Sequence, residues 1–143
     1  MYDVKDFIDG MVNRDFYPFL CVPCSNFKGL IKYICNIYPQ YYYPVNNEGE
    51  AVAIAIGLWL RGKKPVIMIQ NSGIGNMLDP ITSLQYVYEI PLIFITSWRG
   101  YPGIRDEKQH IEMGKITKEI YSLVDIPCID LTSSQNISIE NII

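Results

Sequence analysis

Short apolar runs that alternate with helix-like segments limit most strongly how this chain can fold. The runs suited to β-strands lie at residues 19–22, 41–45, 65–69, 91–96 and 126–131, most of them bounded by Pro, Asn, Ser or Asp. Helical spacing of apolar residues covers 5–13, 26–39, 47–61, the stretch from a turn at 71–76 toward 88, and 110–122. Buried strands that alternate with helices predict an α/β fold, a parallel sheet with helices on both faces.

The size and charge of the chain narrow its class. At 143 residues, 49% of them hydrophobic and 19% charged, the chain can bury one core, and we assign residues 1–132 to one domain and 133–143 to a polar tail. A net charge of −3 and no basic cluster larger than Arg61, Lys63 and Lys64 argue against nucleic-acid binding. No apolar run approaches the roughly 20 residues of a membrane span, and the N-terminus is acidic where a signal peptide is basic. We therefore expect a cytoplasmic protein.

The cysteines do not predict a metal site. Cys21 and Cys24 form a C-x-x-C pair, but the remaining candidate ligands, Cys35, Cys128 and His110, have unsuitable spacings. Cys21 also ends an apolar strand instead of opening a helix, as a redox-active cysteine usually does. Reduced, partly buried thiols are expected.

Polar residues concentrate where the predicted strands end, at 23–26, 46–48, 70–73 and 97–100. In parallel sheets of this class, ligands bind outside the carboxyl ends of the strands. The chemistry of this chain should therefore lie at that edge.

Glu48 stands at the start of the helix predicted at 47–61, which is so rich in Ala, Ile and Leu that we expect it to be buried on nearly all sides. One interpretation makes Asn46 or Asn47 the helix cap and Glu48 an acid at the positive helix end. The segment 47–57, with Gly57 nine positions after Glu48, also resembles the segment at which thiamin-diphosphate enzymes place their activating glutamate. The resemblance implies that Glu48 hydrogen-bonds N1′ of the aminopyrimidine and helps it to remove the thiazolium C2 proton.

Three further segments resemble phosphonopyruvate decarboxylase and sulfopyruvate decarboxylase, and the resemblance extends over about residues 19–115. They are 22–25 (VPCS), 70–76 (QNSGIGN) followed by Asp79-Pro80, and 98–110 (WRGYPGIRDEKQH), of which the last is closer to the phosphonopyruvate enzymes. The resemblance implies catalytic roles for Glu48 and His110. It implies cofactor contacts by Pro23, Ser25, Glu48, Asn71, Gly73, Gly75 and Asn76, and substrate contacts by Ser25, Asn71, Arg99, Arg105, Gln109 and His110.

Each of these segments also has a plainer interpretation. The turn at 71–76 suits close approach of a ligand to glycine backbone and an anion at a helix start, but an ordinary strand-to-helix turn has the same pattern. Arg99 suits a phosphonate, sulfonate or carboxylate, or a salt bridge to Asp106 or Glu107. His110, the single histidine, suits proton transfer or a helix cap.

The chain lacks the Gly-Asp-Gly motif with which this family binds Mg²⁺ and the diphosphate. The resemblance therefore implies a separate beta subunit that carries the motif and the Mg²⁺, a heteromer with some self-association, and no activity of this chain alone. The expected reaction is that of a carboxy-lyase in phosphonate biosynthesis, phosphonopyruvate to phosphonoacetaldehyde and CO₂. A sulfopyruvate decarboxylase alpha subunit, a non-catalytic thiamin-diphosphate-binding regulatory module and a truncated decarboxylase are the alternatives.

Overall fold

The protein forms one four-stranded parallel sheet. The computed structural model describes residues 3–131, so the predicted tail at 133–143 lies outside the described residues. The strands are β1 (Phe16–Cys21), β2 (Tyr42–Pro44), β3 (Lys64–Gln70) and β4 (Ile93–Ser97), in the order β2-β1-β3-β4. Every neighbouring pair is parallel. The α/β class predicted from the sequence is confirmed.

Helices cover both faces of this sheet. They are α1 (Val4–Val12), α2 (Lys28–Ile37), α3 (Glu48–Leu60), α4 (Ile74–Pro80), which continues into a π-helical turn at Ile81–Gln85, and α5 (Lys108–Leu123). Alternate residues of β3 face opposite sides, because side-chain direction reverses at each residue of a strand. Ile67 and Ile69 pack with α3, α4 and Tyr121, whereas Val66 and Met68 pack with α1 and α2.

Helix α3 is less enclosed than the sequence predicts. Its sheet-facing residues Ala51, Val52, Ala55 and Ile56 are buried. The opposite face, which comprises Ala53, Ile54, Gly57 and Leu60, is exposed, and Leu60 keeps 68% of its surface. The prediction of burial on nearly all sides was wrong, because no layer of the described chain covers the outer face of α3.

A fifth strand does not form at residues 126–131. This stretch is irregular after α5, and β4 is left as an edge strand with four half-buried residues. Pro127 has no N–H to donate to a ladder, Asp130 accepts a hydrogen bond from the Tyr101 hydroxyl, and Ile126 packs against the α3 side of the core. The prediction of a strand here was wrong. Among residues 3–131, no helix has both the length and the apolar character needed to cross a bilayer.

The strand order creates a crevice between β1 and β3. The chain leaves β1 in one direction to form β2, and α3 then carries it back past β1 to form β3. The loops that follow β1 and β3 therefore diverge, and such a reversal point is where open parallel sheets bind ligands.

Candidate active site

Glu48 is a buried carboxylate at the first position of α3. Asn47 caps the helix, because its side chain accepts a hydrogen bond from the Glu50 N–H at 2.9 Å. Glu50 in turn accepts hydrogen bonds from the main chain and side chain of Asn46. Capping thus occupies Asn47 and Glu50, while Glu48 is only 7% exposed and accepts a hydrogen bond from Asn76 Nδ2 at 2.8 Å.

Gly73 provides the space into which the Glu48 carboxyl group fits. A methyl group at position 73 would overlap the Cδ and Oε1 atoms of Glu48. Gly73 lies in the 3-10 turn Asn71–Gly73 that follows β3, so the carboxylate from the β2 side of the sheet reaches the carboxyl end of β3. The crevice between β1 and β3 therefore holds a charged group away from water.

The buried side chain of Asn71 connects the end of β3 to the end of β4 and to α5. It is fully buried, and its Nδ2 donates to the Arg99 carbonyl at 2.8 Å and to Thr117 Oγ1 at 2.9 Å. Its Oδ1 accepts from the Arg99 N–H at 3.0 Å. Both amide atoms join the ends of β3 and β4 to α5, and the cofactor and substrate contacts that the resemblance implies for Asn71 stay predictions.

Arg99 makes a two-point ion pair with Asp106. Its Nε and Nη2 donate to Asp106 at 2.8 and 2.6 Å, so the salt bridge considered in the sequence analysis forms. Asp106 also accepts from the N–H groups of Gly100 and Glu107. The Arg99 guanidinium, together with these N–H groups, holds the pKa of Asp106 well below its usual range, and hydrogen bonding to Asp106 raises the pKa of Arg99.

His110 lies in the first turn of α5, against the loop that Arg99 begins. Gly100, at φ +66°, packs on the His110 main chain so closely that any side chain at position 100 would overlap the His110 carbonyl. The Nδ1 atom of His110 is buried and has no hydrogen-bond partner among residues 3–131. An unpartnered buried ring nitrogen costs free energy unless a ligand satisfies it.

The loop after β1 borders the same crevice. Pro23 and Ser25 are exposed there, and Cys24 Sγ lies 3.2 Å from Ser97 Oγ at the end of β4. This contact passes over the end of β3, because β1 and β4 are not neighbours in the sheet. Three further predicted residues are exposed: Gly75 on α4, Arg105 on the 98–107 loop and Gln109 on α5. The structure thus brings Glu48, Gly73 and Asn76 into direct contact and joins Asn71 to Arg99.

The cysteines are free thiols. Cys21 is buried, and burial raises the pKa of its thiol to about 11, whereas Cys35 and Cys128 are exposed. Within residues 3–131, no three His, Cys, Asp or Glu side chains come together in a way that could hold a metal ion. The described chain offers no metal site of its own.

Three structurally important residues were not predicted as site residues from the sequence. Asp106 fixes Arg99, Thr117 fixes Asn71, and Gly114 allows the Gly100 carbonyl to approach α5. Only Asp106 carried a signal, as one of two acids considered as ion-pair partners. Thr117 and Gly114 lie on an ordinary helix, and their importance depends on a loop that precedes them in the chain.

The crevice has the groups that an aminopyrimidine ring requires. A buried carboxylate has one oxygen, Oε2, bound by Asn76, while Oε1 lies against a glycine that presents no side chain. A methyl group at Gly75 would meet no protein atom within 4 Å, so the backbone there is open to a neighbouring molecule. The pyrimidine end of thiamin diphosphate therefore fits the residues present.

Comparison with known proteins gives consistent relatives, although no protein-family model matches the chain. Over 126 residues, 88% of the chain, it is 40% identical to phosphonopyruvate decarboxylase of Streptomyces viridochromogenes, and the match covers 32% of that protein. Over 106 residues, 74% of the chain, it is 38% identical to sulfopyruvate decarboxylase subunit alpha of Methanococcus maripaludis, and covers 63% of it. The corresponding subunit of Methanocaldococcus jannaschii is 38% identical over 111 residues, with 64% of it covered. The chain spans less than two thirds of the length of each of these relatives.

Proposed function

Because the chain belongs to the family of phosphonopyruvate and sulfopyruvate decarboxylases, we propose that it is the pyrimidine-binding subunit of a thiamin-diphosphate-dependent decarboxylase. Its substrate is a 2-oxo acid with a second acidic group, and phosphonopyruvate is the first choice. The observation that carries the proposal is the buried Glu48 carboxylate, held at the carboxyl edge of the sheet by Asn76 and Gly73.

Glu48 activates the cofactor. When bound, thiamin diphosphate supplies a nucleophilic carbon and an electron sink for the departing CO₂. Glu48 contributes an acidic group that hydrogen-bonds the aminopyrimidine ring, and the low exposure of the carboxylate keeps water from competing for this bond. Pro23, Ser25 and Gly75 line the space for the ring, and Gly75 lets it approach the backbone closely, whereas Gly73 admits the Glu48 carboxyl group beside it.

Arg99 and His110 face the substrate. Asp106 engages Nε and Nη2 of Arg99, so the N–H groups of Nη1 remain for a phosphonate or sulfonate. The half-buried His110 ring can form a hydrogen bond with the substrate or transfer a proton to it. Ser25 after β1, Arg105 on the 98–107 loop and Gln109 in the first turn of α5 are exposed donors that complete the substrate contacts.

A second subunit completes the site. The sulfopyruvate relatives are named subunit alpha, which supports an assembly with a partner. We assign the diphosphate and its Mg²⁺ to a beta subunit with a Gly-Asp-Gly motif, in a cytoplasmic heteromer in which the chain also self-associates. This chain is then inactive alone.

Co-expression with a candidate beta subunit tests the proposal. Aldehyde release is measured from phosphonopyruvate, sulfopyruvate and pyruvate, with thiamin diphosphate and Mg²⁺ present. Turnover that needs both chains is expected, and Glu48→Gln should lower kcat by about 10²–10⁴-fold. A stable complex that turns over none of the three substrates would contradict the proposal and favour a regulatory module.

Substitutions at the ion pair test the substrate assignment. Arg99→Met removes the cation, while Asp106→Asn breaks the same ion pair and keeps the cation as a matched control. We expect Arg99→Met to raise the KM for phosphonopyruvate by about 10–100-fold, in keeping with a hydrogen bond to a charged group, and to change the KM for pyruvate far less. Equal effects of both substitutions on both substrates would mean that Arg99 acts only through the loop.

Sulfopyruvate is the second candidate substrate. The match to this chain covers 63 and 64% of the length of the two sulfopyruvate subunits, but only 32% of the length of the phosphonopyruvate enzyme. A sulfonate has the size of a phosphonate and a smaller charge, so the ratio of kcat/KM for the two substrates decides between them.

A further inference from the structure

From the contacts between α3 and α4 we infer that Asn76 is a positioning residue, which orients the Glu48 carboxylate and does not itself bind the cofactor. The inference rests on the proposed function and deepens it. Asn76 Nδ2 donates to Glu48 Oε2 at 2.8 Å, between residues 28 positions apart in the chain. The resemblance implies a cofactor contact for Asn76, and in the structure its amide donates to the carboxylate.

The backbone holds the two residues in this arrangement. A methyl group at Gly49 would lie 2.7 Å from the Asn76 carbonyl oxygen, so the first turns of α3 and α4 touch through their main chains. Gly73 removes the side chain that would otherwise occupy the place of the carboxyl group. Because both helices begin at the contact, the main chains of the two residues keep a constant separation. This keeps the Asn76 amide within hydrogen-bond reach of Glu48, although Asn76 is exposed.

The bond also distinguishes the two carboxylate oxygens. Oε2 receives the amide N–H, and Oε1 lies against Gly73. A carboxyl group that shares a proton with a ligand works best when one oxygen is anchored and the other is presented in a constant direction. Asn76 provides this anchor.

A neutral donor suits this task better than a charged one. An Arg or Lys at position 76 would form an ion pair with Glu48 and compete with the ligand for the carboxylate. An Asp would place a second carboxylate beside the first and provide no N–H. The amide orients Glu48 without neutralising it, so the acid stays available for proton sharing.

A double-mutant cycle in the reconstituted complex separates the two roles of Asn76. We expect Asn76→Ala to lower kcat by about 10–100-fold, the cost of one hydrogen bond to a charged group, with little change in thiamin-diphosphate affinity measured by calorimetry. In a Glu48→Gln background the same substitution should have almost no further effect on kcat. Asn36→Ala, an exposed asparagine of α2, serves as the control.

Losses that multiply in the double mutant, or a large drop in cofactor affinity, would overturn the inference and indicate a direct cofactor contact. Asn76→Asp tests the same point without loss of volume and should lower kcat more than Asn76→Ala. Circular dichroism of each variant verifies that the chain is folded.

A second readout needs neither partner nor turnover. In the chain alone, the side-chain N–H₂ signals of Asn76 in ¹⁵N NMR should shift with pH as the Glu48 carboxyl group gains a proton, and this shift should vanish in Glu48→Gln. The Asn36 signals should stay constant over the same range. An Asn76 signal that ignores pH overturns the inference even if the complex is active, whereas a shifting signal with an inactive complex overturns only the proposed function.

Discussion

At the scale of single residues, Glu48 combines charge with burial, which proteins accept only when the charge has a partner. None of its partners among residues 3–131 is a cation. The Asn76 amide and the positive end of α3 stabilise the carboxylate, and a glycine gives it room. The carboxylate is therefore held in place but remains chemically available, which is what a group that shares a proton with a ligand requires.

Gly73→Ala should separate this packing role from general helix effects. The new methyl group would overlap the Glu48 carboxyl group, so we expect a loss of about 1–3 kcal/mol in the free energy of unfolding, the usual cost of overpacking. Gly57→Ala is the matched control, since Gly57 lies on the exposed face of α3 and a methyl group there meets nothing within 4 Å. This substitution should raise the free energy of unfolding by about 0.5–1 kcal/mol. Urea unfolding of both variants measures the difference, and equal effects would disprove the contact.

The thiols should differ in reactivity according to burial. Burial raises the pKa of Cys21 to about 11, and its side chain is inaccessible, so at pH 8 it should not react with a thiol reagent in the folded chain. Cys35 and Cys128 are exposed and should be labelled. Mass spectrometry after partial labelling, native and unfolded, identifies the modified positions. Rapid labelling of native Cys21 would show that β1 opens readily.

At the scale of elements, the segment from β4 to α5 behaves as one clamped unit. Asp106 closes the loop on Arg99 and on two main-chain N–H groups, and Gly100 and Gly114 let the loop pack directly on α5. Asn71 and Thr117 attach the end of β3 to the same unit. The position of His110 at the start of α5 thus depends on contacts that no residue of the helix could make alone.

The clamp predicts how stability varies with pH. The pKa of Asp106 is lowered in the folded chain, so its contribution is fully present above the ordinary aspartate range near 4 and is lost as pH falls below it. The difference in free energy of unfolding between the wild type and Asp106→Asn should be constant from about pH 7 to pH 5 and should shrink below about pH 4. Urea unfolding across this range tests it. A difference that grows toward low pH would have the wrong sign.

At the scale of the whole molecule, the candidate site lies at one edge of a four-stranded sheet. Its described residues include a buried acid and a paired arginine but no cluster of metal ligands. Under the proposed function, binding of the cofactor should depend on a second subunit.

Linkage makes this dependence measurable. A ligand at 100 times its Kd stabilises the state it binds by about 2.7 kcal/mol, so thiamin diphosphate with Mg²⁺ should raise the Tm of the two-chain complex by several degrees. The same additions should leave the Tm of this chain alone unchanged. Differential scanning fluorimetry with both samples tests the expectation. An equal rise in the single chain would mean that it binds the cofactor without a partner.

The local sequence determined the elements and the edge of the sheet at which the polar residues gather. The Asn47 cap, the apolar periodicity of α3 and the apolar strands are signals that span a few neighbouring residues, so they could be read directly. The same local signals predicted a strand at 126–131, where Pro127 and a contact of Asp130 with Tyr101 took precedence. They also overstated the burial of α3, since composition does not say whether a layer covers both faces.

Only the tertiary structure decided how the polar residues are used. Glu48 meets Asn76, and Asn71 meets Arg99, across separations of 28 residues in both cases. The crossover of α3 and the strand order β2-β1-β3-β4 bring these residues together, and neither can be predicted from the spacing of residues in the sequence. For this reason the sequence could indicate that Asn71, Arg99 and Asn76 are important, whereas packing joined Asn71 to Arg99 and Thr117, Arg99 to Asp106, and Asn76 to Glu48.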